Sequence, residues 1–203
     1  MTAPAPVPAP AAASVRFRLT GGGSGTLRPL CPGETAALEA VFAGLSTASR
    51  AARYLTGMAH LPASMAAILA AVDGWGHVAW LAEVDGRPAG IARYVRCGPA
   101  STTAELAVEV VDAHQGRGVG AVLVDAVTTH AAQAGVRRLH ATLRADNNRA
   151  RRLLQRLGAC LTMDGNLLEA RGPLRLLDPP VVDRDAVRAV ADRHARGPLD
   201  LTA

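Results

Sequence analysis

Between Val110 and Val124 the chain reads VVDAHQGRGVGAVLV, where Gly116, Gly118 and Gly120 alternate with other residues between a β-branched run and an apolar helical pattern. Glycine carries no Cβ. Successive N–H groups from Gln115 through Gly116, Arg117, Gly118, Val119 and Gly120 to Ala121 can therefore curve around a phosphate. The helix that follows adds the positive end of its dipole to the same anion site. Just upstream, AELAVEV places Glu105 and Glu109 four residues apart, on one face of a regular strand. A carboxylate there is a ready general base.

Three phosphate loops compete for this stretch. A Walker A loop needs Gly-Lys-Ser/Thr, and the sequence contains no lysine. A dinucleotide fingerprint matches on paper at Gly116, Gly118 and Ala121, with Asp146 beyond the next strand. Against it, DAHQ separates strand from glycines, and Glu105 and Glu109 interrupt a strand that a parallel sheet would bury on both faces.

The third loop agrees best. QGRGVG (Gln115 to Gly120) resembles the Q/R-x-x-G-x-G/A loop of the GNAT superfamily of acetyl-CoA-dependent N-acetyltransferases. LRADNNRARRLLQRLGA resembles that superfamily's second conserved region, with Asn147 eleven residues before Gly158. The likeness runs from Thr26 to Pro173. Within it, RPLCPGE, ARYVR and AELAVEV are most similar to the branch of bacterial protein-lysine acetyltransferases.

The resemblance implies acetyl-CoA as co-substrate, with no metal. It implies that AELAVEVV and RRLHATLR splay apart around the pantetheine arm, which backbone groups of Val108, Glu109 and Val110 would pair like another strand. The Val110 N–H would hold the thioester oxygen as negative charge develops. Asn147 would hydrogen-bond the pantetheine or cap the last helix, and both roles stay open. Glu105, ten residues before Gln115, takes the position of the catalytic Glu, with Glu109 second. The base matters, because a lysine-like amine is neutral in roughly one molecule in 2,500 at pH 7, worth about 4.6 kcal/mol of barrier. Leu154 stands where many members carry a tyrosine that protonates the departing thiolate, so the general acid is unassigned. Water or the positive end of the Asn147 helix would substitute. His114 reads as a packing or surface residue, Trp75, Trp80 and Tyr94 as filling the core or the acceptor-cleft wall, and acceptor choice is expected in the helices from Pro32 to Val72 and the loop Cys97 to Thr102.

The elements around this centre follow from periodicity. The order is a strand at TLRPL, three helical stretches, a hairpin turning at Asp85-Gly86, the AELAVEV strand, the glycine loop and helix, the RRLHATLR strand, a helix closed by Gly158, and a last hairpin turning at Asp164-Gly165. This predicts an α/β fold with a GNAT-like mixed antiparallel and parallel sheet, splayed central strands and flanking helices. Residues 1–25 read as a disordered Pro/Ala-rich tail and Gly-rich hinge, 26–173 as the N-acetyltransferase domain, and 174–203 as a C-terminal extension with a short helix that either docks back or lies loose.

Composition sets limits. Of 203 residues 49% are hydrophobic, enough for one sizeable core, and no apolar run reaches membrane-span length. The formal charge of +5 comes from dispersed arginines without interleaved aromatics, which gives a nucleic-acid surface no support. Cys31, Cys97 and Cys160 lack disulfide or metal spacing and suit a reducing cytoplasm. The expected activity is acetyl transfer to a primary amine, slightly favouring a protein lysine side chain. The alternatives are a small-molecule N-acetyltransferase (aminoglycoside, polyamine or amino acid) and a non-catalytic acyl-CoA-binding regulatory module. Neither nucleic acid nor membrane is expected as a partner, and a homodimer built through the C-terminal extension is compatible with the sequence.

Overall fold

The computed structural model describes residues 13–195. Its centre is an eight-stranded sheet in the order β1-β2-β3-β4-β5-β6-β8-β7. The strands are β1 (Val15–Arg18), β2 (Ser24–Pro29), β3 (His77–Val84), β4 (Arg87–Arg96), β5 (Thr103–Val110), β6 (Arg138–Arg144), β7 (Cys160–Asp164) and β8 (Leu167–Pro173). The helices are α1 (Thr35–Ala43), α2 (Thr47–Tyr54), α3 (Ala63–Ala70), α4 (Val119–Gln133), α5 (Asn148–Arg156) and α6 (Arg184–Ala195). Among the described residues all strand pairs are antiparallel except β5·β6, which α4 connects.

Period-two alternation in the central strands builds two apolar layers. In β3, Val78, Trp80 and Ala82 face one way, into the core shared with Val122, Leu123 and Val127 of α4 and Val187, Val190 and Ala191 of α6. Ala79 and Leu81 face the other way, against Leu38 and Val41 of α1 and Ala70 of α3. A strand covered on both faces must be apolar throughout, and β3 is buried from Val78 to Ala82.

The central feature for function is where pairing stops. β4 and β5 stay in register from Gly90↔Val110 to Arg96↔Ala104. β5 and β6 pair only through Thr103↔Arg138, Ala104↔Leu139 and Glu105↔His140. Beyond Glu105 the two strands diverge, so one edge of β5 from Leu106 to Val110 has no strand partner. The expected splay is present.

Two expectations about the ends are corrected. Residues 15–25 are not a hinge. Val15, Phe17 and Leu19 are buried, and β1 pairs with β2 from Val15↔Leu27 to Arg18↔Ser24. The glycines Gly21, Gly22 and Gly23 adopt φ of 86°, 103° and 89°, which turns the chain between these strands. The domain also does not stop at residue 173, because α6 packs along α4. Asp125, fully buried in α4, accepts the N–H groups of Val181 (2.8 Å) and Val182 (3.3 Å) and pairs with Arg184 at 2.6 Å. The Pro/Ala-rich tail before residue 13 and the chain after residue 195 lie outside the described residues. Among the described residues, no helix is long and apolar enough to cross a membrane.

Candidate active site

A cleft of about 1670 Å³ opens where β5 and β6 part. Its floor is β5 from Glu105 to Val110, its far wall is β6 and α5, its near wall is α2 and α3, and its head is the glycine loop.

The loop is built as an anion cradle. A short 3-10 turn at Asp112–His114 delivers the chain to Gln115, whose amide group ties the site together. Its Nε2, with two protons to donate, lies 3.1 Å from each of three acceptors, Ser49 Oγ of α2, the Val110 carbonyl of β5 and Asp112 Oδ1, and its Oε1 accepts from Arg149 of α5. Among the described residues, the N–H groups from Gly116 to Gly120 donate no backbone hydrogen bond to loop or turn carbonyls; the first inward bonds come from Ala121 and Val122 to the Gly118 carbonyl. Consecutive unpaired donors at the start of a fifteen-residue helix suit a phosphate.

The three glycines have different reasons. Gly116 (φ 76°) faces open space, so its own left-handed backbone is what requires glycine. Gly118 (φ 88°) is left-handed too, and a Cβ there would also lie 3.0 Å from Thr20 Oγ1. Gly120 would meet only Val110 Cγ2 at 3.6 Å, an ordinary contact. Arg117 and Val119 do not line the cleft. The Arg117 guanidinium turns to His114 Nδ1 (3.2 Å), its carbonyl accepts from the Thr20 N–H (3.0 Å), and Val119 is buried in the core.

Strand alternation assigns the backbone of β5. The Val111 N–H donates to the Ala89 carbonyl, so odd-numbered neighbours serve the β4 ladder and even-numbered ones face the opposite edge. Val108 and Val110 therefore direct their peptide groups into the gap. The expectation that the Glu109 backbone also binds there is corrected, because its peptide groups belong to the β4 pairing opposite Ile91.

The two carboxylates share a face and the cleft, yet differ in surroundings. Glu105 is exposed and makes no hydrogen bond or ion pair among the described residues. Glu109 is buried to 2% side-chain exposure, accepts from Tyr54 Oη at 2.8 Å and lies 3.8 Å from Arg53 Nε. Burial and the neighbouring Glu109 charge push the Tyr54 hydroxyl up, so it remains a donor. Burial lowers the nearby Arg93 guanidinium to about 10, against the pull of Glu109, and it remains charged at neutral pH. Glu109 is thus enclosed and partnered within the protein, and Glu105 is the one open to an incoming group.

Asn147 caps α5, its Oδ1 accepting from the Ala150 N–H at 3.1 Å, and the residue also lines the cleft. Leu154 lines it as a buried apolar residue. Trp80 and Tyr94 are core residues, but Trp75 is 56% exposed beneath the Arg96 guanidinium. The near wall comes from α2 and α3 through Leu55, Met65, Ile68 and Leu69, whereas the loop from Cys97 to Thr102 does not reach the cleft. Sequence reasoning missed Ser49, Arg53, Tyr54 and Arg149. The only signal for them was polar and basic residues in short helices with almost no buried face.

Comparison with known proteins agrees with this geometry. The family model described as acetyltransferase (GNAT) family matches residues 47–159. Acetyltransferase Pat of Mycolicibacterium smegmatis is 44% identical over 68 residues, covering 34% of this chain and 20% of that protein. The chain thus matches only about a fifth of that relative's length. In three dimensions the chain is similar to the GNAT domain of S. lividans PAT, with a TM-score of 0.74 and 24% identity over 82% of this chain and 99% of that one. It is also similar to yncA of Salmonella typhimurium with its cofactor acetyl-CoA, with a TM-score of 0.59 and 22% identity over 78% and 98%. A splayed parallel pair, a glycine cradle at the head of the gap and a family match spanning both lead to one conclusion: the chain belongs to the acetyltransferase (GNAT) family of acyltransferases.

Proposed function

We propose that the protein transfers an acetyl group from acetyl-CoA to a primary amine, with a protein lysine side chain as the preferred acceptor and Glu105 as the general base. One observation carries this reading. An unpartnered, exposed carboxylate and an unpaired row of loop N–H groups open into the same cleft, at the point where β5 leaves β6.

The residues fit the donor. N–H groups from Gly116 to Gly120, with Ala121 continuing the curve, meet the diphosphate. The even-numbered peptide groups of β5 at Val108 and Val110 meet the pantetheine amides, and Asn147 borders the same passage while capping α5. The bound donor supplies an acetyl thioester. Glu105 removes the proton as the amine nitrogen bonds to the acyl carbon, and the Val110 N–H donates to the acyl oxygen as charge collects there. The carbon–sulfur bond then breaks and the electron pair leaves with sulfur. Leu154 offers that thiolate no proton, so solvent supplies it, as the openness of the cleft allows.

The preference for lysine is supported by the apolar near wall, where Leu55, Met65, Ile68 and Leu69 suit the four-methylene stem of a lysine. The likeness to the Pat proteins supports it too. The test is thiol release from acetyl-CoA with lysine peptides, polyamines and aminoglycosides as acceptors. Glu105→Gln is expected to reduce kcat by about 10²- to 10⁴-fold while acetyl-CoA binds as before. Unchanged turnover in that variant would remove Glu105 as base, and turnover with small amines alone would replace the lysine reading.

A further inference from the structure

The glycine loop accounts for a diphosphate, but the positive charge along the cleft continues past it. α5 carries Arg149, Arg151, Arg152 and Arg156 within nine residues and no acidic residue. Arg149 and Arg152 are one turn apart on one side of this helix, and both line the cleft. Arg149 is fixed at the edge of the loop, donating to Gln115 Oε1. Arg152 makes no hydrogen bond or ion pair among the described residues, and the nearby Asp146 is engaged by Arg144 at 2.7 and 3.0 Å.

Two guanidinium groups three residues apart repel each other. Arg149, in the first turn of α5, also sits where the helix dipole disfavours a cation. Nothing within the described residues pairs with Arg152, which is exposed and free to meet an anion from outside. The two side chains sit about 4.5 Å apart along the helix axis, beside the diphosphate cradle and not on it. A guanidinium presents a planar fork of donors matched to phosphate oxygens.

We infer that Arg149 and Arg152 form a subsite for the 3′-phosphate of the CoA ribose, which makes the enzyme selective for donors that carry this group. The inference rests on the reading of the donor as a CoA thioester. A thioester on bare pantetheine, or on a carrier protein's phosphopantetheine, lacks this phosphate and is discriminated against.

The test needs no acceptor. CoA and dephospho-CoA, which differ only in the 3′-phosphate, are titrated calorimetrically into the wild-type protein and into Arg152→Gln, a variant that keeps the stem and helix propensity. Wild type is expected to bind CoA at least about tenfold more tightly than dephospho-CoA, the range for one charge-assisted contact. In Arg152→Gln that ratio should fall to within about twofold to threefold through weaker CoA binding, with dephospho-CoA unaffected. The gap should also narrow as salt rises. Equal affinities in wild type, an unchanged ratio in the variant, or an equal loss for both ligands would each overturn the subsite. Retained dephospho-CoA binding would then leave the donor reading standing, whereas no binding of either ligand would overturn both.

Discussion

At the residue scale, the site divides labour between two carboxylates of the same type on the same strand face. Glu109 is enclosed, with Tyr54 donating to it and arginine charge beside it, while Glu105 is open. Removing the Tyr54 hydroxyl leaves a buried carboxylate oxygen without its donor. Tyr54→Phe should therefore cost about 2 kcal/mol of stability, the range for a hydrogen bond to a charged group, read as a lower urea midpoint at unchanged slope. A loss below a few tenths would mean that Glu109 finds another donor. That Glu105 and the loop share one cleft was legible in sequence, because both lie within one local stretch of chain. The fate of Glu109 was not. Its partner is 55 residues away in a helix that has no fully buried residue, and only the folded chain brings them together.

At the element scale, the short, strongly periodic pieces were readable: the Asp85-Gly86 and Asp164-Gly165 hairpins, α4 closed at Gly135, and α5 stopped by Gly158. The two ends were less so. VRFRL alternates cleanly but is only five residues long beside TGGGSG, and the glycines that suggested a hinge are the turn that lets β1 pair back on β2. The role of α6 depends on Asp125, a lone acid in the apolar run AVLVDAV, whose partners lie more than 50 residues ahead. Asp125→Ala leaves Arg184 and two backbone N–H groups without their acceptor. It should destabilise the protein by about 3 kcal/mol or more and free α6 first, seen as early amide exchange in residues 181–195. Uniform exchange throughout the chain would show instead that α6 is not separately anchored.

At the scale of the whole molecule, α4 is the element that joins the sheet to α6, and His130 sits within that joint. Its ring is 4% exposed, accepts from Trp80 Nε1 at Nδ1 (3.2 Å) and meets Trp80 and Tyr94 edge-on. Burial pushes it down to about 4, from an ordinary value of 6.5. Between those values the unfolded chain binds a proton that the folded chain refuses, so stability falls as pH drops through 6.5 towards 4. The lost contribution approaches about 3 kcal/mol. Protonation would also abolish the acceptor that Trp80 uses. Denaturant midpoints measured from pH 7 to 4.5 should fall more steeply in wild type than in His130→Gln, and parallel curves would locate the acid sensitivity elsewhere.

The proposed activity requires that the loop from Gln115 to Ala121 be the phosphate cradle of a CoA site. Calorimetric titration of acetyl-CoA and NAD into wild type and Gly118→Trp tests it most directly, since residue 118 is left-handed and a Cβ there would lie 3.0 Å from Thr20 Oγ1. Acetyl-CoA bound by wild type in preference to NAD, and lost in a folded Gly118→Trp, is the predicted result. A preference for NAD, or acetyl-CoA binding that survives the substitution, would contradict it.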